Sequence, residues 1–231
     1  MTSDDAGGRR PILGPVVCAG LRMEARAVRR GLSRVPVVVV GYRARRADRL
    51  PAACAGFVLV GFGGALDERL RPGDVVVADE IRGGGPPVAC GGAHALAREL
   101  IRDGLNVQVG PLVTTDHVVS GAERAVWAAQ GARVADMESA VIAARAGGRP
   151  VAAVRVVVDG PGHPLLHPGM VSRGLGARRV LARTGPALER WSAFLLSSGS
   201  RPDETADGDG SGDAGTAVDA DGSEGTEVRT P

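Results

Sequence analysis

Lysine does not occur in this 231-residue chain: all 28 basic residues are arginine, and aromatic residues make up only 3%. The missing lysine fits a GC-rich coding bias and carries no functional weight. The scarcity of aromatics does carry weight, because readers of single-stranded nucleic acid stack bases on aromatic faces set among basic residues, and here the arginines are spread without that interleaving. A nucleic-acid partner is therefore not expected. The three cysteines, Cys18, Cys54 and Cys90, are odd in number and far apart. Without a Cys-x-x-Cys pair they signal neither a disulfide framework nor a zinc site, and buried reduced thiols are expected. His163 and His167 stand four apart, but Pro161, Pro164 and Pro168 deny them the helix that zinc ligation at that spacing needs. No Gly-x-Ser-x-Gly elbow of a serine hydrolase occurs. No apolar run has the length of a membrane span, and the first residues lack the charged, apolar and small-residue layout of a secretory leader, so a cytoplasmic protein is expected.

What is present suits a single buried core. Hydrophobic residues make up 44% and glycines number 35, enough for one sizeable domain and too little for a second. The net charge of +2 conceals an asymmetry: from Arg201 to Pro231 nine acids face two arginines, so the tail carries about −7 and residues 1–200 about +9. That tail has almost no large apolar residue and cannot offset its ordering entropy. The expected organisation is a flexible N-terminus over 1–10, a catalytic domain over 11–198 and a disordered acidic tail over 199–231.

Short β-branched runs alternate with helical composition through the domain. Strands are predicted at 12–19, 35–42, 56–60, 74–78, 107–112 and 151–158, and helices at 24–32, 93–103, 121–130, 139–146 and 172–196, the last interrupted near Gly185-Pro186. This alternation predicts a layered α/β domain, a central mixed sheet flanked by helices.

Two motifs carry chemistry. Ala135-Asp136-Met137-Glu138-Ser139-Ala140 places carboxylates at the start of an alanine-rich helix, and Arg155-Val156-Val157-Val158-Asp159 places another past the end of an apolar strand, where α/β proteins build their sites. Either alone also reads as ordinary capping or an ordinary turn. Glu24, in the turn Gly20-Leu21-Arg22-Met23-Glu24 after the first strand, could simply favour a helix dipole, worth a few tenths of a kcal/mol, or face the same crevice. After the third strand, Gly61-Phe62-Gly63-Gly64 is not the dinucleotide fingerprint, and reads as a glycine loop whose N–H groups can approach a ligand. His117 and Ser120 read equally as pocket lining or capping, and Ser139 as structural.

These segments, in this order, resemble the purine nucleoside phosphorylase and uridine phosphorylase superfamily across roughly residues 12–195. The nucleosidase branch, typified by 5′-methylthioadenosine/S-adenosylhomocysteine nucleosidases, is the nearer, and Gly20-Leu-x-x-Glu24-Ala, Asp136-Met-Glu-Ser139 and Asp159-Gly-Pro-Gly-His-Pro-Leu are most similar to the hopanoid-associated phosphorylases, the adenosylhopane nucleosidase group. The resemblance implies the nucleoside phosphorylase fold and cleavage of a purine N-glycosidic bond. It implies Asp159 as the acid at purine N7, Glu24 as the group positioning water, Glu138 as acceptor for the ribose hydroxyls and Met137 as the wall beneath the sugar. Phe62, Gly63, Val158, Arg155 and His117 complete the implied binding set. Phe62 and Val158 depart from the family, which often has a small polar residue and a serine at these positions.

Such chemistry develops positive charge on the sugar and electron density on the base, and so asks for an acid near the base and negative potential near the ribose. Burial of Asp159 beside Val156, Val157 and Val158 would raise its pKa and let it donate near neutrality. No metal or organic cofactor is required. The expected substrate is a small 5′-modified purine nucleoside, adenosylhopane foremost, yielding adenine. The expected assembly is a homo-oligomer, with peripheral membrane contact should the substrate be a hopanoid. Methylthioadenosine or adenosylhomocysteine hydrolysis, phosphorolysis served by Arg22 and Arg71, and a catalytically idle nucleoside-binding protein stay open.

Overall fold

In the computed structural model, which describes residues 14–161 and 170–198, ten strands form one mixed sheet. Its axis is β3 (Gly56–Ala65). Beside it, in parallel, run β1 (Pro15–Ala19) on one edge and β10 (Val151–Asp159) on the other. Beyond β1 lies β2 (Val37–Val39), and beyond β10 lie β4 (Val75–Ala78) and β7 (Val107–Val109). The upper end of β3 continues past β1 and pairs instead with β9 (Val134–Asp136), which leads on to β8 (Leu112–Thr114), β5 (Glu80–Arg82) and β6 (Val88–Ala89). The sheet thus curls about β3, and the mixed α/β fold matches the architecture expected.

The central strands read as continuous apolar runs because both of their faces are covered. Val17, Val58, Val60, Val75, Val77, Val154 and Val156 face one core together with residues of α1 (Arg22–Val28), α2 (Ala93–Arg102), α5 (Met170–Arg183) and α6 (Gly185–Ser198). Their alternates Val16, Phe57, Leu59, Val76, Ala153 and Val157 face a second core closed by Ile142 and Ala143 of α4 (Ser139–Ala144). This is the two-residue strand period, and each fully buried Val or Leu contributes about 1.5–3 kcal/mol.

Several expected boundaries move. The run 107–112 is two strands, because Pro111 has no N–H to donate and the two halves pair with different neighbours, β7 with β4 and β8 with β5 and β9. The run 35–42 contributes only Val37–Val39, and Tyr42–Ala44 instead form a single 3-10 turn with Arg43 and Ala44 at φ 54° and 52°. The glycines 61–64, expected as a loop, continue β3. The break near Gly185 is real: a Cβ there would lie 2.4 Å from the Gly31 carbonyl carbon, so the junction of α5 and α6 packs on bare backbone. The stretches 1–10 and 199–231 and the pair His163/His167 lie outside the described residues. Among the described residues no helix is long and apolar enough to cross a membrane. Cys18 and Cys90 are buried, while Cys54 is half-buried and accepts a hydrogen bond from Arg149.

Candidate active site

The extension of β3 is what builds the site. Glycine recurs there because other groups press on the strand: a Cβ on Gly61 would stand 2.8 Å from Glu24 Oε1, one on Gly63 2.6 Å from Val134 Cγ2, and one on Gly64 3.2 Å from Asp159 Oδ1. Strand ends and the turns after them then converge on a cavity of about 250 Å³, a little below the usual size of ligand pockets, about 300–1,000 Å³. It is lined by Glu24 from α1, Phe62 and Gly63 from β3, Met137 and Glu138 after β9, Val158 and Asp159 from β10, and His117 after β8.

Glu24 is buried at 5% exposure. Its Oε1 accepts the Phe62 N–H at 2.8 Å and its Oε2 the Leu21 N–H at 2.7 Å. Burial pushes its pKa up to about 7, with these two N–H groups and the Arg155 charge opposing and Glu138 adding to the rise. Glu138 is raised too, by burial first and then by Asp136, and its Oε1 accepts the Arg43 N–H at 2.9 Å. Arg43 and Ala44 hold left-handed backbone, costly for non-glycine residues, and that turn delivers this N–H.

Arg155, expected among the substrate-binding residues, does not line the cavity. Its guanidinium grips Asp136 through Nε and Nη2 and donates to Ser139 Oγ at 2.8 Å, with side-chain exposures of 3% and 0% for the arginine and the aspartate. Asp136 also accepts from Thr114 Oγ1 at 2.6 Å and from Ser139 Oγ at 2.6 Å. This buried network fixes the start of α4, and so the stem of Glu138, and agrees with a structural Ser139. Arg155 reaches the site only as a positive charge that lowers the pKa of Glu24 and Glu138.

Asp159 differs more from its expected surroundings. Valines flank it in sequence, yet Arg124 of α3 (Gly121–Ala129) meets its Oδ2 through Nη2 and ties Nη1 to the Ala65 carbonyl. The apolar setting expected for Asp159 is thus replaced by an ion pair with Arg124. Nothing in the sequence singles out Arg124, which stands on a short amphipathic helix. His117 is exposed, bonded through Nδ1 to Asp116 at 2.7 Å and through Nε2 to Glu123 at 2.9 Å, and the hydrogen bonds to Asp116 first and then to Glu123 raise its pKa. Ser120 precedes α3 without a side-chain capping bond and lines an adjoining groove of about 1090 Å³. Arg22 and Arg71 are exposed and line neither space.

The overall fold is similar to solved nucleoside-processing proteins. The 5′-methylthioadenosine/S-adenosylhomocysteine nucleosidase of Campylobacter jejuni superimposes with a TM-score of 0.64 at 14% identity, covering 77% of this chain and 99% of that one. The S-adenosylhomocysteine nucleosidase of Streptococcus pyogenes gives 0.61 at 20% identity, covering 78% and 99%. The purine nucleoside phosphorylase of Toxoplasma gondii gives 0.57 at 16% identity, covering 78% and 93%. No curated protein sequence matches the chain. The model of the phosphorylase superfamily matches residues 7–173. With that match spanning most of its length and carrying Glu24, Glu138 and Asp159, the chain belongs to the phosphorylase superfamily, an enzyme family.

Proposed function

We propose that this protein hydrolyses the N-glycosidic bond of a purine nucleoside. The observation that carries this is the convergence of three carboxylates from separate elements, Glu24, Glu138 and Asp159, on one cavity. In this reading Glu138 accepts hydrogen bonds from the ribose hydroxyls above Met137, and its negative charge favours the cationic sugar as the bond breaks. Glu24, with its pKa pushed up to about 7, is poised to take a proton from water near neutral pH. Asp159 gives a proton to the base. Hydrolysis is favoured over phosphorolysis because, among the described residues, the arginine lining the cavity is Arg124, which is paired with Asp159, and Arg22 and Arg71 stand outside. Glu24 and Glu138 would repel a phosphate dianion in the same space.

The finer reading is a nucleoside with an apolar 5′ substituent, adenosylhopane foremost and methylthioadenosine or adenosylhomocysteine next, releasing adenine. It is supported by Leu21, Tyr42 and Val118, large side chains 38%, 47% and 52% exposed that rim the same cavity. A lipid-like substituent, a membrane surface or a second copy of the chain in a homo-oligomer would cover them. Incubation with purine nucleosides bearing apolar, polar or no 5′ substituents, followed by chromatography of the free base, tests the proposal. Base release, lowered at least about a hundredfold by Asp159→Asn, is expected. Saturable binding without any base release would make the protein a nucleoside-binding module instead.

A further inference from the structure

Arg124 and Asp159 form an ion pair with side-chain exposures of 10% and 6%, joining α3 to the end of β10. The pair lies over Gly64, where a Cβ would stand 3.2 Å from Asp159 Oδ1 and 3.3 Å from Arg124 Nη1. Removing one partner of so buried a pair leaves the other's charge uncompensated. With the guanidinium on Oδ2, that oxygen is occupied before any base arrives.

Arg124 also has somewhere to go. It lines both the catalytic cavity and the adjoining groove of about 1090 Å³, whose wall includes the carboxylates of Asp67 and Glu68. Asp67 is already held by Arg69 and Arg133, so the groove offers an arriving guanidinium the Glu68 carboxylate and solvent. The remaining titratable groups that line the cavity with Asp159 are Glu24, Tyr42, Asp136, Glu138 and His117, and those that line the groove with it are Asp67, Glu68 and Arg69; none of these is hydrogen-bonded to it.

We propose that Arg124 is a displaceable counter-ion of Asp159: a purine seated against Asp159 moves the guanidinium into the groove, and Asp159 then takes up a proton for the base. This rests on the N-glycosidase reading. Asp159 gains its proton from solvent as Arg124 leaves. As the bond from C1′ to the base nitrogen breaks, its electron pair stays with the base and the Asp159 proton follows. The oxygen of water bonds to C1′ and its proton passes to Glu24, which returns it to solvent. Asp159 is then a carboxylate again, and Arg124 re-pairs with it when the base departs. Arg124 acts through Asp159 and is a positioning residue.

The test uses the full chain with ¹³C-labelled aspartate carboxyls, the Asp159 signal being identified by its loss in Asp159→Asn. Without ligand, Arg124→Met should raise the Asp159 titration midpoint by at least about one pH unit, while Arg124→Lys, which keeps a cation, should leave it within about half a unit of wild type. Independently, calorimetry of adenine binding to the wild type near pH 7, in buffers of different ionisation enthalpy, should show uptake of about one proton, absent in Asp159→Asn. An Asp159 midpoint equal in wild type and Arg124→Met, or adenine binding without proton uptake, would overturn the proposal. The titration needs no turnover. A protein that passes it yet cleaves no nucleoside refutes the N-glycosidase reading and leaves the ion-pair control standing.

Discussion

Glu24 rests on the bare backbone of Gly61, so close that a Cβ there would stand 2.8 Å from Oε1. The carboxylate cannot give way easily, because the Phe62 and Leu21 N–H groups hold both of its oxygens. Bare backbone at Gly61 thus sets where Glu24 meets the cavity.

Gly61→Ala should therefore act on catalysis more than its size suggests. If Glu24 activates water as proposed, displacing it by a fraction of an ångström to an ångström is expected to lower kcat by about tenfold to a hundredfold. Steady-state kinetics beside a thermal melt checks this, and unchanged kcat would show that Glu24 does not work from this position.

Glu24 also ties stability to pH. Its folded pKa of about 7 lies above the ordinary 4.5, so between those values the folded state holds the extra proton. The associated stability is complete below about pH 4.5 and is lost as pH rises to about 7, some 3 kcal/mol in all. Urea unfolding of the wild type across that window should show this decline, and Glu24→Gln should remove it. The same ionisation should set the acid limb of kcat, with activity rising as Glu24 deprotonates through about pH 7.

The carboxylates were legible in the sequence because each follows a strand at the start of a turn or helix, and such positions face the crevice of an α/β sheet. Arg124 was not, since nothing local ties a residue of an alanine-rich helix to an acid 35 positions away. Arg155 was assigned to the substrate for want of that same long-range information: only the structure brings Asp136 to it across 19 positions. The three-residue strands β5, β8 and β9 are too short to display a period. The glycines of β3 carry weak strand propensity, so they read as a loop until the groups crowding them are known.

The pair of Arg155 and Asp136 should be a stability element with a functional consequence. Arg155→Met strands a buried carboxylate and is expected to cost about 3–5 kcal/mol in urea unfolding, while Asp136→Asn combined with Arg155→Met should cost less than the two single changes added together. Strict additivity would show that the two side chains do not depend on each other.

Hydrolysis by three converging carboxylates is tested most directly by the product formed with and without phosphate. The wild-type protein, supplied with a 5′-modified adenine nucleoside in phosphate-free buffer, should release adenine and a free ribosyl product, identified by mass spectrometry. Glu24→Gln should lose that release by at least about a hundredfold. Strict dependence on added phosphate, with a ribose 1-phosphate product and near-normal turnover in Glu24→Gln, would contradict the account and leave Glu24 a residue that only caps its helix.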